Sequence, residues 1–228
     1  MDHIRELASS TAVRIWLIRT DAGYEDAVAS ALLDRDEQLR AMTFRFERDR
    51  TRYVTAHLAL RTILAEALDC HPASLQFIRR PCPECGELHG RPAVADASET
   101  HFSLSHSGNL ALVALASTLV GADVEALPSS EAAAELIAAL HPRERAELAE
   151  LSDPLERRLA LARVWVRKEA FLKGLGTGLS RRLDLDYVGS LPHLPGSPQG
   201  WAVSDVPVPD GYSAAVVLSP PVQLIVSE

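Results

Sequence analysis

Slid along itself until Leu33 falls on Leu140, this chain lays one half over the other. Without a gap the same offset superposes Glu37 on Glu144, Arg50 on Arg157 and Leu68 on Leu175. Four identities in 36 positions are near chance, so the weight falls on pattern. Arg61 lands on Lys168, and the apolar stripes of two long helical segments coincide. Each half also runs strand, helices, long helix, then strands, closing on Leu-Ala-Leu-Val-Ala-Leu-Ala-Ser (110–117) or Tyr-Ser-Ala-Ala-Val-Val-Leu-Ser (212–219). The expected class is α+β: two similar α/β halves related by a pseudo-two-fold internal duplication. The halves are placed at about 1–118 and 119–228. A cleft between two such halves is a natural ligand site.

Periodicity supplies the elements. Residues 12–18 form a β-branched, aromatic run expected as a buried strand. Segments 24–33 and 37–46 are helix candidates. The helix expected over 49–68 carries Tyr53, His57, Leu60, Leu64 and Leu68 on one stripe, with Arg45, Arg48, Arg50, Arg52 and Arg61 around it. A short strand is expected at 75–78 and a loop at 81–98. Strands at 101–104, 110–116 and 119–124 precede helices at 129–140 and 143–151. A last helix over 160–175 buries Leu161, Val164, Trp165, Lys168, Phe171, Leu172 and Leu175 at helical spacing. Gly174, Gly176 and Gly178 stop it, because glycine tolerates the left-handed cap. Strand-like segments at 183–188, 200–206, 211–218 and 222–226 complete the chain.

The net charge of −8 argues against general affinity for nucleic acid or an anionic membrane and leaves room for a local basic pocket. No apolar run approaches the roughly 18–20 residues that cross a bilayer. The opening residues, Met1 to Glu6, lack the basic and apolar regions of a signal peptide. Three cysteines, Cys70, Cys82 and Cys85, give no disulfide framework. A cytoplasmic location is the expectation.

Four places hold candidate chemistry, each with a bland alternative. Glu169 and Lys173 project from one face of the last helix. They read either as a solvated ion pair or as a metal-binding carboxylate beside a phosphate-binding lysine. Asp123 and Glu125 alternate on a strand and so share a face, which is often merely solvated. Brought near Glu169, they would make three oxygen ligands, a set suited to Mg²⁺. Ser105, His106 and Ser107, before Gly108, offer hydroxyls and an imidazole to phosphate oxygens, or simply hairpin chemistry. Cys82-Pro83-Glu84-Cys85 followed by His89 has zinc-knuckle spacing. A closed structural site needs four ligands, there is no second Cys-x-x-Cys, and Cys70, His71 or His101 would complete it only by chance of folding. A knuckle-shaped loop without metal is therefore the favoured reading.

Three of these motifs together resemble one family. Phe102-Ser-Leu-Ser-His-Ser-Gly108, Val120-Gly-Ala-Asp-Val-Glu125 and Trp165-Val-Arg-Lys-Glu-Ala-Phe-Leu-Lys173 resemble the 4′-phosphopantetheinyl transferases, specifically the surfactin-synthetase-activating type. Gly-x-Asp-x-Glu ahead of Trp-x-x-Lys-Glu-x-x-x-Lys is that family's signature. Gly90-Arg91-Pro92 resembles its Gly-Lys-Pro turn, and the likeness spans roughly 35–218. The resemblance implies transfer of 4′-phosphopantetheine from coenzyme A to a serine of an apo acyl or peptidyl carrier protein, as in nonribosomal peptide and polyketide synthesis. The product released would be adenosine 3′,5′-bisphosphate. It implies Asp123, Glu125 and Glu169 as metal carboxylates for Mg²⁺, with Mn²⁺ not separable on oxygen ligands alone. It implies Glu169, or a metal-bound water near it, as the proton acceptor, Lys173 and His106 as phosphate ligands, and Ser105, Arg52 and Arg91 near the 3′-phosphate and adenine. Lys168 is a further coenzyme A candidate, and Glu144 an acidic support of the site. Ala122 departs from the family pattern without touching the carboxylates, and Val166 departs from it by removing a possible hydrogen bond near the site. A monomer would suffice, since both walls of the cleft come from one chain. Two alternatives are a non-catalytic module binding coenzyme A or a carrier, and a metal-dependent phosphohydrolase. Retention of all three carboxylates with Lys173 favours the transferase.

Overall fold

Two helices of equal length organise the molecule. The computed structural model describes residues 3–10 and 12–220. Strands β1 (Ile4–Ser9) and β2 (Val13–Arg19) pair antiparallel, and the short helices α1 (Asp26–Leu32) and α2 (Arg35–Met42) lead into the long α3 (Glu47–Leu68). A small separate hairpin, β3 (Phe77–Arg79) with β4 (Pro92–Val94), follows. Strands β5 (His101–Ser107) and β6 (Leu110–Ala116) return to the first sheet, whose order is β1-β2-β6-β5. Then come β7 (Val120–Ala126), α4 (Ser130–Ala139), α5 (Pro142–Glu150) and the long α6 (Pro154–Leu175). Strands β8 (Ala202–Asp205) and β9 (Tyr212–Leu218) complete a second sheet, ordered β7-β9-β8.

The offset read from the sequence recurs at the element level. The shift that superposes Leu33 on Leu140 carries β2 onto β7 and α3 onto α6, end for end. The order β2-β6-β5 in one sheet repeats as β7-β9-β8 in the other. The capping chemistry repeats too. Asp34 and Glu37 form a capping box at the start of α2, and His141 and Glu144 form one at the start of α5. Each of these glutamates then reaches a cation buried in the neighbouring long helix: Glu37 meets Arg61 at 2.7 Å and Glu144 meets Lys168 at 2.8 Å.

Strand alternation sorts the core into layers. Ala111, Val113 and Leu115 of β6 pack with Trp16 and Ile18 against Leu60 and Leu64 of α3. Leu112 and Ala114 face the second sheet, meeting Val120, Ala122, Val124 and Val216. On that sheet's far side, Ala215 and Val217 pack against Val166, Ala170 and Phe171 of α6. The layers are therefore helix, sheet, sheet, helix. No helix of the described residues is long and apolar enough to cross a membrane.

Where the two sheets meet, side chains stand in for a backbone ladder. Strands β5 and β7 are not paired to each other in either sheet. Instead Ser103 Oγ accepts the Ala122 N–H at 3.0 Å and Ser107 Oγ accepts the Ala126 N–H at 3.1 Å. Ser105, between them on the same face of β5, bonds to Asp123. This seam positions the candidate site.

Several expectations change. Strand β1 has no counterpart among the expected elements, and β4 lies inside the segment read as a loop. Helix α6 starts at Pro154 rather than 160, because the Asp153 carboxylate accepts the N–H groups of Leu155 and Glu156. Residues 183–188 are not a strand. Their polar backbone is satisfied elsewhere, the Val188 N–H by the Glu144 carboxylate at 2.8 Å and the Val188 carbonyl by the Gly196 N–H at 2.7 Å. The strand expected at 222–226 lies outside the described residues.

Gly121 has no room for a side chain. A Cβ there would fall on the Ala170 carbonyl oxygen and within 2.5 Å of the Gly174 nitrogen, so α6 lies directly on β7. Gly121→Ala forces these elements apart and is expected to cost about 1–3 kcal/mol or more, read as a lowered urea midpoint. An unchanged midpoint would contradict the close approach.

Candidate active site

Asp123 is the centre of the site. It stands on β7, only 1% exposed, and its Oδ1 accepts two hydrogen bonds: from Ser105 Oγ at 2.7 Å and from Lys173 Nζ at 2.6 Å. Lys173 also donates to Ser105 Oγ at 2.9 Å, closing a triangle across the seam. Asp123 Oδ2 is buried and has no hydrogen-bond partner. A buried carboxylate oxygen left bare is costly, and such atoms point to a missing ligand.

Two further carboxylates lie near enough to feel the charge of Asp123. Glu125 follows two residues along the same strand face, and its pKa is raised by burial, opposed by a hydrogen bond with Ser107 and reinforced by Asp123. Glu169, one turn before Lys173 on α6, is pushed up to about 7 by burial and then by the Asp123 charge, with Lys173 opposing. Lys173 makes its ion pair with Asp123, across elements, so the solvated i,i+4 pair with Glu169 is not what forms. Three carboxylates against one lysine leave an excess of negative charge that a divalent cation would neutralise, and the bare Oδ2 offers it a ligand. Oxygen-only donors fit Mg²⁺. Among the described residues the oxygens of Asp123, Glu125 and Glu169 do not all lie within 4.8 Å of one another, a convergence seen only for Cys82, Cys85 and His89.

The other expected site residues divide. His106 lies on the opposite face of β5 from Ser105, open to solvent yet flanked by protein, and its pKa is lowered by that desolvation and then by His57 and Lys173. It is near the basic end of the site. Arg91 points a guanidinium nitrogen at the last carbonyls of α6, Gly174 at 2.9 Å and Leu175 at 3.0 Å. It therefore caps the helix that carries Glu169 and Lys173, and its pKa is lowered by burial. Arg52 holds the β5–β6 turn through Asn109 Oδ1, with Nε at 3.0 Å, and also bonds Asp49. Ser105 is buried and serves Asp123 instead of facing open solvent.

Lys168 is not brought to the cleft. Its buried ammonium is satisfied by Glu144 and by the Asp186 carbonyl at 2.6 Å, and burial lowers its pKa against the pull of Glu144. A lysine committed in this way ties α6 to α5. Glu144 correspondingly supports the site at one remove, through Lys168 and the Val188 N–H.

A cavity of about 470 Å³ opens beside Lys173 and runs between α3, the β3–β4 hairpin and the end of α6. His57, Arg79, Arg91, Phe102 and Lys173 are among its lining residues. Sequence reasoning places His57 on an apolar stripe and gives Arg79 no role. In the structure His57 Nδ1 lies 2.8 Å from Glu37 Oε1, which orients its ring. The available signal is a lone imidazole in that stripe; nothing in the motifs marks Arg79.

The crowding of Glu169 has a pH signature. Its folded pKa of about 7 lies above the ordinary 4.5, so the proton favours the folded state. The stabilisation is complete below about pH 4.5 and is lost as pH rises through 7. In metal-free buffer the melting temperature of the unmodified chain, relative to Glu169→Gln, should therefore fall between about pH 5 and 8. A pH-independent difference would count against the crowded carboxylate.

Similarity to known proteins points to one family. Residues 119–200 match the family model described as the 4′-phosphopantetheinyl transferase superfamily, and residues 20–119 match 4′-phosphopantetheinyl transferase, N-terminal. The chain is 31% identical over 221 residues to the 4′-phosphopantetheinyl transferase HetI of Nostoc sp., covering 92% of this chain and 89% of that protein. It is 27% identical over 164 residues to a 4′-phosphopantetheinyl transferase of Bacillus subtilis, covering 72% and 68%. Against the 4′-phosphopantetheinyl transferase Sfp of B. subtilis the identity is 24% over 217 residues, covering 91% of each chain. The chain belongs to the 4′-phosphopantetheinyl transferase family.

Proposed function

We propose that this chain transfers the 4′-phosphopantetheine group of coenzyme A to a serine of an apo acyl or peptidyl carrier protein, releasing adenosine 3′,5′-bisphosphate. The observation that carries the reading is Asp123: buried, held by Ser105 and Lys173, with one oxygen bare, and interacting by charge with Glu125 and Glu169. Phosphoryl transfer needs positioning and charge neutralisation more than covalent help, and this cluster offers both. Asp123, Glu125 and Glu169 would hold Mg²⁺, or Mn²⁺ in its place. When bound, the cation supplies neutralisation of pyrophosphate charge.

The chain's own residues do the rest. Lys173, which lines the cavity, binds and orients the pyrophosphate and stabilises charge growing on the leaving phosphate. Glu169, or a water beside it, takes the proton of the attacking serine. Arg91 and Arg79 form the cationic side, and His106 adds an imidazole, where the phosphates of the adenosine portion would fit. The 470 Å³ cavity is of the size that encloses much of a small ligand. Ser105 positions Asp123, and Arg52 positions the turn after His106.

The division at 1–118 and 119–228 is the reading that follows, with Ser105 and His106 from the first half meeting Asp123, Glu125, Glu169 and Lys173 from the second. One chain then holds the whole site and works as a monomer. The broad, surfactin-synthetase-activating type is the proposed subclass, acting on carriers of nonribosomal peptide and polyketide assembly in the cytoplasm.

The test is incubation with coenzyme A, Mg²⁺ and an apo carrier domain, read by intact mass. The carrier should gain one phosphopantetheine. Asp123→Ala, Glu169→Gln and Lys173→Ala should each slow the gain by about 100-fold or more. No gain on any of several carrier types would sink the transferase reading, and unchanged rates in the variants would sink the site.

A further inference from the structure

Outside this site, one group of side chains has the chemistry of a second metal centre. Cys82, Cys85 and His89 each offer a ligand atom, and the three atoms lie within 4.8 Å of one another. Cys85 Sγ and His89 Nε2 are 2.9 Å apart. In a tetrahedral zinc site with ordinary Zn–S and Zn–N bonds, neighbouring ligand atoms sit about 3.5 Å apart. Small side-chain adjustments would therefore seat an ion.

The backbone is already folded as a knuckle. The Cys82 N–H donates to the Glu87 carbonyl at 2.7 Å, and the Gly86 N–H donates back to the Cys82 carbonyl at 2.9 Å. Gly86 has φ +78°, a conformation that suits glycine, at the turn immediately after Cys85. The thiolate is the form of cysteine that ligates a metal. Cys82 is buried, whereas Cys85 and His89 are open to solvent. No disulfide joins the two cysteines, so both sulfurs are free to ligate. The residues that could have completed a closed site, Cys70, His71 and His101, do not join the group among the described residues.

We propose that Cys82, Cys85 and His89 bind one Zn²⁺, with water in the fourth position. Two sulfurs and an imidazole select zinc over the hard cation expected at Asp123. Binding releases the two thiol protons to solvent. The site sits at the tip of the loop joining β3 to β4, whose base is closed by Gly90 N–H to Arg80 carbonyl and Arg80 N–H to Arg91 carbonyl, each 2.9 Å. A Cβ at Gly90 would lie 2.6 Å from the Arg80 carbonyl, so the loop is strapped tightly where it delivers Arg91 to the end of α6. The ion thus staples a loop that forms one wall of the cavity. The inference stands independently of the transferase reading, because its readout is the metal itself.

The experiment is metal analysis of the full chain purified with reduced thiols and without chelator, followed by replacement with Co²⁺. About one zinc per chain is expected, with Co²⁺ giving visible tetrahedral bands and a near-ultraviolet thiolate charge-transfer band. Cys85→Ser and His89→Ala, both at exposed positions, should lose the bound zinc and the charge-transfer or tetrahedral signature while circular dichroism is retained. A reduced wild-type chain that holds no zinc and gives no thiolate–Co²⁺ band overturns the proposal. So do variants that keep their zinc unchanged. The Co²⁺ spectrum of the wild type decides the matter without relying on any variant.

Discussion

A single buried carboxylate sets the terms for this molecule. Asp123 lies where the second sheet meets the edge of the first, and its charge is held by Ser105 from one half and Lys173 from α6. Removing an aspartate from water is tolerable only with partners that stay in place. Those partners fix the relative placement of three elements: β5, β7 and α6. The glycine at 121 lets α6 lie close enough for Lys173 to reach, and the serines at 103 and 107 keep β5 against β7. The bare Oδ2 is the remainder that this arrangement leaves unmet, and the charges of Glu125 and Glu169 nearby make a cation favourable.

The duplication explains why there is one such site. Under the offset that pairs Leu33 with Leu140, Asp123 and Glu125 correspond to Trp16 and Ile18, both buried in the core under α3. Glu169 corresponds to Thr62, whose hydroxyl bonds to the Leu58 carbonyl within its own helix. Lys173 corresponds to Glu66, an exposed side chain near Arg14. What both halves retain is the pinning ion pair, Glu37 with Arg61 and Glu144 with Lys168. The halves therefore share a device that locks each long helix to a short one, and differ in the groups that line the seam. The first half contributes hydroxyls, an imidazole and the β3–β4 loop; the second contributes the carboxylates and the lysine.

The sequence was legible where chemistry and periodicity coincide. The α3 and α6 stripes, the Asp123–Glu125 alternation and the offset between Arg61 and Lys168 all follow from helix or strand geometry, and the elements appear accordingly. Legibility ended where a residue's partner is distant in the chain. Lys168 looked like one more cation near Glu169, because no local pattern shows that Glu144 lies beneath it. Ser105 looked like a phosphate ligand, since hydroxyls are drawn to anions, yet its anion is Asp123. Residues 183–188 alternate like a strand but are held by side chains from α5 and α6. The loop at 81–98 showed its ligand spacing, while the convergence of Cys82, Cys85 and His89 depended on a turn that only the fold displays.

The most direct measurement is the titration of Glu169 itself. A carboxyl-carbon NMR titration with ¹³C-labelled glutamate, the resonance assigned by its loss in Glu169→Gln, follows the one group that senses Asp123, Glu125 and Lys173 together. The account predicts a midpoint of about 7 without metal and a shift down into the ordinary carboxylate range when Mg²⁺ and coenzyme A are added. A midpoint in the ordinary range from the start, unmoved by Mg²⁺, would contradict it.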